Sequence, residues 1–270
     1  MALSILFFIV VLTGLVLFVY PVWRRRRVLK TPFPPAWTQI LDQRLPHLKL
    51  LSAAERRQLL DYIRLFLSHK RFHGCAGLQV NDEMRVVIAA QACLLLLNRR
   101  TEVYPLLHHV LLYPAMFTKE TEELNEDGTV SEVQQALLGE SWDEGKVVLS
   151  WEDVEHDLMH IQDGENVVLH EFAHQLDAEN GGDNGMPILR HNDPVRWQTM
   201  MSQEFTRLSA AVERDEETFL DPYAASAPAE FFAVATETFF ELPEELKQHH
   251  RPLYEELRCY YRINPAQWLH

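Results

Sequence analysis

One segment, VVLHEFAHQL (167–176), restricts what this chain can fold into more than any other. It contains no proline or glycine, and two glycines follow at 181–182, which favours an α-helix that ends before them. Positions i and i+4 lie on one face of a helix, so His170 and His174 can bind one metal ion through two imidazoles. Glu171 is rotated away from the metal and can reach a metal-bound water. The H-E-x-x-H pattern therefore predicts one half of a zinc site.

The other half of the site must come from elsewhere, because a catalytic zinc ion usually has three protein ligands and an open position for water. After His174 the chain continues QLDAENGGDN, without a nearby histidine. The better candidate is Glu230 in the segment 228–241, where Pro228 is a typical first-turn residue of a helix. Glu230 and Glu237 lie two turns apart on one face of this apolar helix. Buried carboxylates are costly unless they are paired or bind a metal.

Four segments together resemble the Mlc titration factor A family of zinc metallopeptidases: HEFAHQLD, DPYAASAPAEFFAVATETFF, LLYPAMF and SWDEGKVVLSW. The resemblance covers residues 45–268. It implies a zincin-type fold with one zinc ion per chain, bound by His170, His174 and Glu230. It also implies Glu171 as the general base and Tyr223 as a hydrogen-bond donor to the transition state. The spacing from tyrosine to glutamate is also similar to that in the protease domain of anthrax lethal factor.

Two further carboxylates are candidates for orienting a metal ligand, because a metal-bound histidine usually donates its other ring N–H to a carboxylate or carbonyl. Asp177 follows His174 by three residues on the same helix face. It either accepts such a hydrogen bond or is a plain polar residue at the helix C-terminus. Glu237 has apolar neighbours, which favours the orienting role over that of a solvated glutamate.

A second pair of histidines, His156 and His160 in WEDVEHDLMH, has the same spacing of four. It lacks the intervening glutamate, and a charged amphipathic helix carries such pairs by chance. We therefore expect this segment to be a helix without a second metal site.

The pattern of apolar residues predicts an α+β fold, with helices first, a few short strands in the middle and helices to the C-terminus. Ser52 and Glu55 form a capping-box pattern ahead of the helical segment 56–72. Another helix begins near Asn81 and Asp82 and continues through a nearly all-apolar run, which indicates burial. With the family resemblance, we expect a mostly helical, zincin-like domain with a small sheet.

Two segments in the middle of the chain are typical of strands: HHVLLYPAMF (108–117) and KVVLSW (146–151). The second lies just upstream of the site helix, where an edge strand can hold an extended peptide by main-chain pairing. Between them, the polar segment KETEELNEDG (119–128) ends in a turn signal and predicts a solvated loop or a hairpin.

The N-terminal segment 2–23 holds no charged side chain, and as a helix rising about 1.5 Å per residue it is long enough to cross a membrane. Four arginines follow at 24–27, the reverse of the charge order of a cleaved signal peptide. We expect a transmembrane anchor over 1–23, a basic juxtamembrane and proline-rich linker over 24–44, and a zinc metallopeptidase domain over 45–270. The positive-inside rule places this domain on the cytoplasmic side of the inner membrane. The alternative is a cytoplasmic protein.

The net charge and the cysteine content limit which kinds of partner and metal site this protein can have. The net charge of −14 argues against direct nucleic-acid binding, which needs clustered Lys and Arg. Three widely spaced cysteines suggest neither a disulfide framework nor a cysteine-ligated metal. We expect a peptide or protein substrate and attachment to the membrane through the N-terminal helix. The family resemblance adds an Mlc-type transcriptional repressor, whose binding regulates sugar uptake.

Two alternative functions are consistent with these sequence features. The first is hydrolysis of peptide bonds by a metal-activated water, with repressor binding as a second role. The alternative is a non-catalytic protein that sequesters a transcription regulator and whose zinc is structural. A structural site is closed by four protein ligands, and the sequence offers no obvious fourth.

Overall fold

The computed structural model describes residues 14–99, 101–115, 120–124, 130–134, 145–182 and 184–268. Helices make up most of this part of the chain. In chain order they are α1 (Tyr20–Lys30), α2 (Pro35–Arg44), α3 (Ala53–His69), α4 (Asp82–Leu94), α5 (Trp151–Met159), α6 (Val167–Ala178), α7 (Pro194–Glu213), α8 (Pro228–Glu241), α9 (Pro243–His249) and α10 (Arg251–Tyr261). Short 3₁₀ helices cover Pro46–Leu50, Pro222–Ala225 and Pro265–Trp268, and a π-helical turn covers Leu15–Val19.

A small parallel sheet lies among these helices. Its strands are β1 (Arg71–Gly74), β2 (His109–Tyr113) and β5 (Lys146–Ser150), with β2 in the middle. Val110 of β2 pairs with Phe72 on one side and Val147 on the other. The chain passes from β1 to β2 through α4, as a parallel pair requires a crossover connection. Strands β3 (Glu120–Leu124) and β4 (Val130–Gln134) form a separate antiparallel hairpin.

The core surrounds α6, which packs against α4, α8 and β5. Phe172 of α6 is fully buried, and its ring lies 5.6 Å from that of Phe66 and 4.8 Å from that of Tyr104, measured between centroids. Burying aromatic rings of this size contributes strongly to stability, and tilted or edge-on packing is their preferred geometry. The helix that carries the H-E-x-x-H pattern is therefore held rigidly from several sides.

The mostly helical domain with a small sheet is confirmed, with local differences. The capping box at Ser52 and Glu55 is present, with Ser52 Oγ accepting the Glu55 N–H at 3.3 Å. The helix predicted over 56–72 ends at His69, because Arg71 and the residues after it pair with β2. The segment 119–128 contributes to a hairpin, although 119 and 125–128 lie outside the described residues.

The fold prediction was wrong in one component, the transmembrane helix over 1–23. Residues 1–13 of that segment lie outside the described part of the chain. Within the described part, no helix is both long enough and apolar enough to cross a membrane. The N-terminal helix α1 continues through the four arginines at 24–27, whose charges interrupt the apolar run. Arg24 Nη2 donates to the Ser68 carbonyl at 2.6 Å, so α1 contacts the domain through α3.

Candidate metal centre

The site helix α6 begins at a well-formed cap. Asn166 precedes its first turn, and the Asn166 Oδ1 accepts the Leu169 N–H at 3.0 Å. The apolar side chains of α6 are buried, and they are Val168, Leu169, Phe172, Ala173 and Leu176. With those positions facing the core, His170 and His174 point together toward the first turn of α8.

Helix α8 positions Glu230 through close packing of its first turn. Gly185 adopts a φ of +71°, and a Cβ there would lie 2.4 Å from the Pro228 carbonyl oxygen. Only glycine allows this approach without displacing the backbone. Asp177, at the end of α6, accepts the N–H groups of Asn184 and Gly185 at 2.8 and 2.7 Å. The buried Asp177 thus ties the loop after α6 to the start of α8. The sequence does not single out Gly185, since nothing in it distinguishes this residue from the other glycines that follow α6.

The three expected ligand atoms converge on one point. Glu230 Oε2 lies 3.0 Å from His170 Nε2 and 3.3 Å from His174 Nε2. The two imidazole Nε2 atoms are 3.2 Å apart. Among the described residues these three side chains form a group whose ligand atoms all lie within 4.8 Å of one another, close enough to hold one metal ion.

A fourth side chain determines how His170 presents its ring. Glu237 Oε1 lies 2.6 Å from His170 Nδ1, and Glu237 Oε2 accepts the Asn166 N–H at 2.6 Å. With Nδ1 donating to this carboxylate, Nε2 is the ring nitrogen that faces Glu230 and His174. Two nitrogen lone pairs and a carboxylate oxygen would repel one another at these distances, so the arrangement requires a proton or a metal cation between them. Two imidazoles and one carboxylate are also a known ligand set of catalytic zinc, so the residues present fit a divalent metal.

The family model for glucose-regulated metallo-peptidase M90 matches residues 20–262. The chain belongs to this metallopeptidase family. An uncharacterized protein of Synechocystis is 45% identical over 246 residues, which cover 90% of this chain and 89% of that protein. Mlc titration factor A of Escherichia coli O1:K1 is 31% identical over 237 residues, covering 87% and 88% of the two chains. The protein of the same name from Klebsiella pneumoniae is 32% identical over 234 residues, covering 86% and 87%. The predicted family, that of Mlc titration factor A, is therefore confirmed.

The ionisable groups of this candidate centre favour positive charge between the three expected ligands. Burial disfavours a charged His170, but its hydrogen bonds with Glu230 and Glu237 outweigh burial and raise its pKa to about 10. Burial also opposes ionisation of Glu230, yet hydrogen bonds with His170 and His174 lower its pKa to about 2. A site that holds a carboxylate ionised and attracts a proton this strongly will also attract a metal cation.

Two further groups lie beside the ligands. Glu171 is 4% exposed, and burial raises its pKa to about 7, against the opposing effect of His170 and His174. Tyr223 is 55% exposed in the 3₁₀ helix before α8, and its ring centroid lies 6.2 Å from that of His170. Burial, then the charges of Glu230 and Glu171, raise the pKa of Tyr223. Its hydroxyl is therefore protonated at neutral pH, and its hydrogen bond with Glu230 also raises the pKa.

Proposed function

We propose that this protein is a zinc-dependent peptidase and that His170, His174 and Glu230 are the zinc ligands. The observation that carries the proposal is the convergence of these three ligand atoms from two separate helices. The buried Glu171 and the exposed Tyr223 lie beside them. Membership of a metallopeptidase family supports the same chemistry.

The proposed division of roles follows from the chemistry of each group. A bound zinc ion acts as a Lewis acid, which lowers the pKa of a coordinated water to about 7 and polarises the scissile carbonyl. Glu171 accepts the proton of the attacking water and later delivers it to the leaving amine. Its raised pKa, about 7, suits a group that must both take and give a proton near neutral pH.

Tyr223 and Glu237 have supporting roles in this proposal. The Tyr223 hydroxyl donates a hydrogen bond to the oxyanion that develops from the carbonyl oxygen. Its exposure lets it reach a substrate in the open part of the site. Glu237 accepts the Nδ1–H of His170 and so fixes which ring nitrogen faces the metal.

Strand β5 is the proposed place for the substrate main chain. In the described part of the chain it lies at the edge of the sheet and pairs only with β2. It also contacts α6. An extended peptide can add to such an edge by backbone hydrogen bonds. This arrangement would lay the peptide beside the site helix.

The test is metal content measured together with peptide hydrolysis on the purified full chain. We expect about one zinc ion per chain and hydrolysis of a fluorogenic peptide mixture in the wild type. Glu230→Ala should lose zinc and activity, while Glu245→Gln, at an exposed position of α9, should keep both. Full zinc content in Glu230→Ala would assign the third ligand elsewhere. A wild type that binds no zinc from a metal-replete medium would remove the basis of the proposal.

A second proposed function is binding of a transcriptional repressor of the Mlc type. The observation in its favour is that relatives 31% and 32% identical to this chain are named Mlc titration factor A. Glu171→Gln separates the two functions, because it should abolish hydrolysis and leave the binding of a purified repressor unchanged. Failure of the wild type to bind the repressor in a pull-down or by calorimetry would reject the second function alone.

A further inference from the structure

A cavity of about 290 Å³ lies behind the metal centre, between the N-terminus of α6 and the C-terminal part of the chain. None of the proposed zinc ligands lines it, nor do Glu171 and Tyr223. Most of its wall is apolar, with Leu94, Leu169, Phe240 and Trp268 among the lining side chains. An apolar protein cavity of about 150 Å³ is known to hold a benzene molecule. This one therefore has room for an aromatic ring and a short polar chain.

Two carboxyl groups line the apolar cavity. Asp157 Oδ2 accepts the Val167 N–H at 2.8 Å, and Glu241 Oε1 accepts the Asn166 Nδ2–H at 3.0 Å. In the described part of the chain neither carboxyl forms an ion pair with a lysine or an arginine. Burial raises the pKa of Asp157 to about 6 and that of Glu241 to about 8. Each also lies in the field of other carboxylates, so a cation in the cavity would relieve both burial and repulsion.

A buried amide points to a ligand independently of the carboxyl groups. Gln91 is 5% exposed and lines the cavity, and its Nε2 has no hydrogen-bond partner among the described residues. Buried donors are almost always paired, so an unpaired one indicates that an acceptor belongs there. His47 also lines the cavity, and burial lowers its pKa to about 4. It is therefore neutral at pH 7 and does not supply the missing cation.

The geometry points to a binding site for a small apolar primary amine that also carries a neutral hydrogen-bond acceptor. The apolar body fills the space lined by Phe240 and Trp268, the ammonium group lies near Asp157 and Glu241, and the acceptor receives the Gln91 Nε2–H. A ligand carboxylate fits less well, because it would be repelled by both acidic side chains.

The amine site shares Asn166 with the residues that hold the metal centre in place, but none of the proposed zinc ligands lines it. Asn166 lines the cavity, caps α6, and donates its backbone N–H to Glu237, which in turn contacts His170. A bound amine at Glu241 competes for the carboxylate that Asn166 Nδ2 uses. Occupancy is therefore expected to alter how firmly the centre holds its metal. The existence of the amine site does not depend on peptidase activity.

The direct test is isothermal titration calorimetry of the full chain with L-phenylalaninamide. At about pH 6.5 its amine is protonated, because α-amino groups have a pKa of roughly 7.7–8.0. We expect saturable binding of one molecule per chain. Because the pKa of Glu241 is raised to about 8, its carboxyl is mostly protonated at this pH and releases its proton to the solvent when the ammonium group binds. The desamino analogue 3-phenylpropanamide should bind about tenfold more weakly or worse, because it lacks the charge-assisted contact.

Variants then assign the contact to this cavity. Glu241→Gln keeps an acceptor for Asn166 and should weaken L-phenylalaninamide about tenfold, while 3-phenylpropanamide binds as before. Gln91→Leu should weaken both ligands, and the exposed Glu245→Gln should change neither. If Glu241→Gln melts at a markedly lower temperature, Asp157→Asn replaces it. No saturable heat with the wild type, or equal L-phenylalaninamide affinity in the wild type and in the acidic-residue variants, would overturn the inference.

Discussion

Two pairs of histidines in this chain have the same spacing of four residues, yet among the described residues only one pair is part of a candidate metal centre. His156 lies in the last turn of α5, and His160 follows the end of that helix. Their rings stack with centroids 4.2 Å apart, and the His156 side chain is 58% exposed. On α6 the rings of His170 and His174 are tilted by 69°, and the His174 side chain is 3% exposed. Within the described residues, the group that could hold a metal includes only the α6 pair, which Glu230 joins. A spacing of four residues between two histidines therefore does not by itself make a metal site.

The acidic residue that follows the first histidine of each pair, Asp157 or Glu171, also has a different environment in the two places. Asp157 Oδ2 accepts the Val167 N–H and so helps to cap the next helix. Glu171 is buried, and burial raises its pKa to about 7. It also lies close enough to His170 and His174 that their charges partly oppose this rise. Similar local patterns therefore have different roles, and the role depends on which other elements pack against each segment.

The largest effect is expected from removing one histidine of each pair. His174→Ala should reduce zinc from about one ion per chain to almost none and abolish hydrolysis, because two ligands hold the ion poorly. His160→Ala should change neither quantity. Elemental analysis and a peptide assay on the same samples measure both. Stoichiometric zinc in His174→Ala would contradict the contrast between the helices.

Glu171→Gln should lower kcat by about 10²–10⁴, the usual contribution of a general acid–base group, while zinc content stays at the wild-type level. The neutral amide cannot accept the proton of the attacking water. Glu152→Gln, at an exposed position of α5, serves as the matched control. Steady-state kinetics with one defined peptide give the ratio. An unchanged kcat would exclude Glu171 as the base.

Tyr223→Phe should lower kcat by about 10²–10³ and leave KM nearly unchanged, because a donor to the oxyanion acts mainly in the transition state. Tyr20→Phe removes a hydroxyl from a residue of similar exposure, and it should leave kcat unchanged. The split between kcat and KM is the diagnostic quantity. If KM alone rises, Tyr223 binds substrate and does not stabilise the oxyanion.

Glu237→Gln should weaken zinc affinity by about 10–100-fold, as expected for a group that orients a ligand. The amide can face either His170 Nδ1–H or the Asn166 N–H with its oxygen, but not both. Competition with a chelator measures the affinity. Glu245→Gln, at an exposed position of α9, should hold zinc as the wild type does. Equal affinities for the two variants would remove the orienting role from Glu237.

The smallest effect concerns pH. Because Glu171 acts ionised and its pKa is raised to about 7, kcat/KM should fall as pH drops through that region, at most about tenfold per unit. Positive charge at His170 and His174 lowers the pKa of Glu171. A bound metal ion therefore moves this acidic limb of the pH profile, the fall of kcat/KM at low pH, toward lower pH. The residual activity of Glu171→Gln should lack the limb. An identical limb in the variant would assign the titration to another group.

Local sequence predicted the helices well where one physical rule dominates. Ser52 and Asn81 begin α3 and α4 as expected, because a side-chain cap satisfies the free N–H groups of the first turn. The prediction that the helix continues to residue 72 was wrong, because strand pairing with β2 outweighs helix propensity at Arg71. The transmembrane prediction was also wrong. It treated residues 2–23 as a separate apolar unit, whereas the structure joins 20–23 to the arginine-rich part of one helix.

By itself the sequence determined that His170, Glu171 and His174 lie on one helix, and it named Glu230 as the partner to look for. Both inferences rest on helical periodicity and on the cost of burying a carboxylate, which are local properties. Only the tertiary structure decided which histidine pair meets a carboxylate. It also placed Glu237 against His170, 67 residues earlier in the chain, and Gly185 against the start of α8. These contacts depend on how distant segments pack, and no local pattern encodes the distance between them.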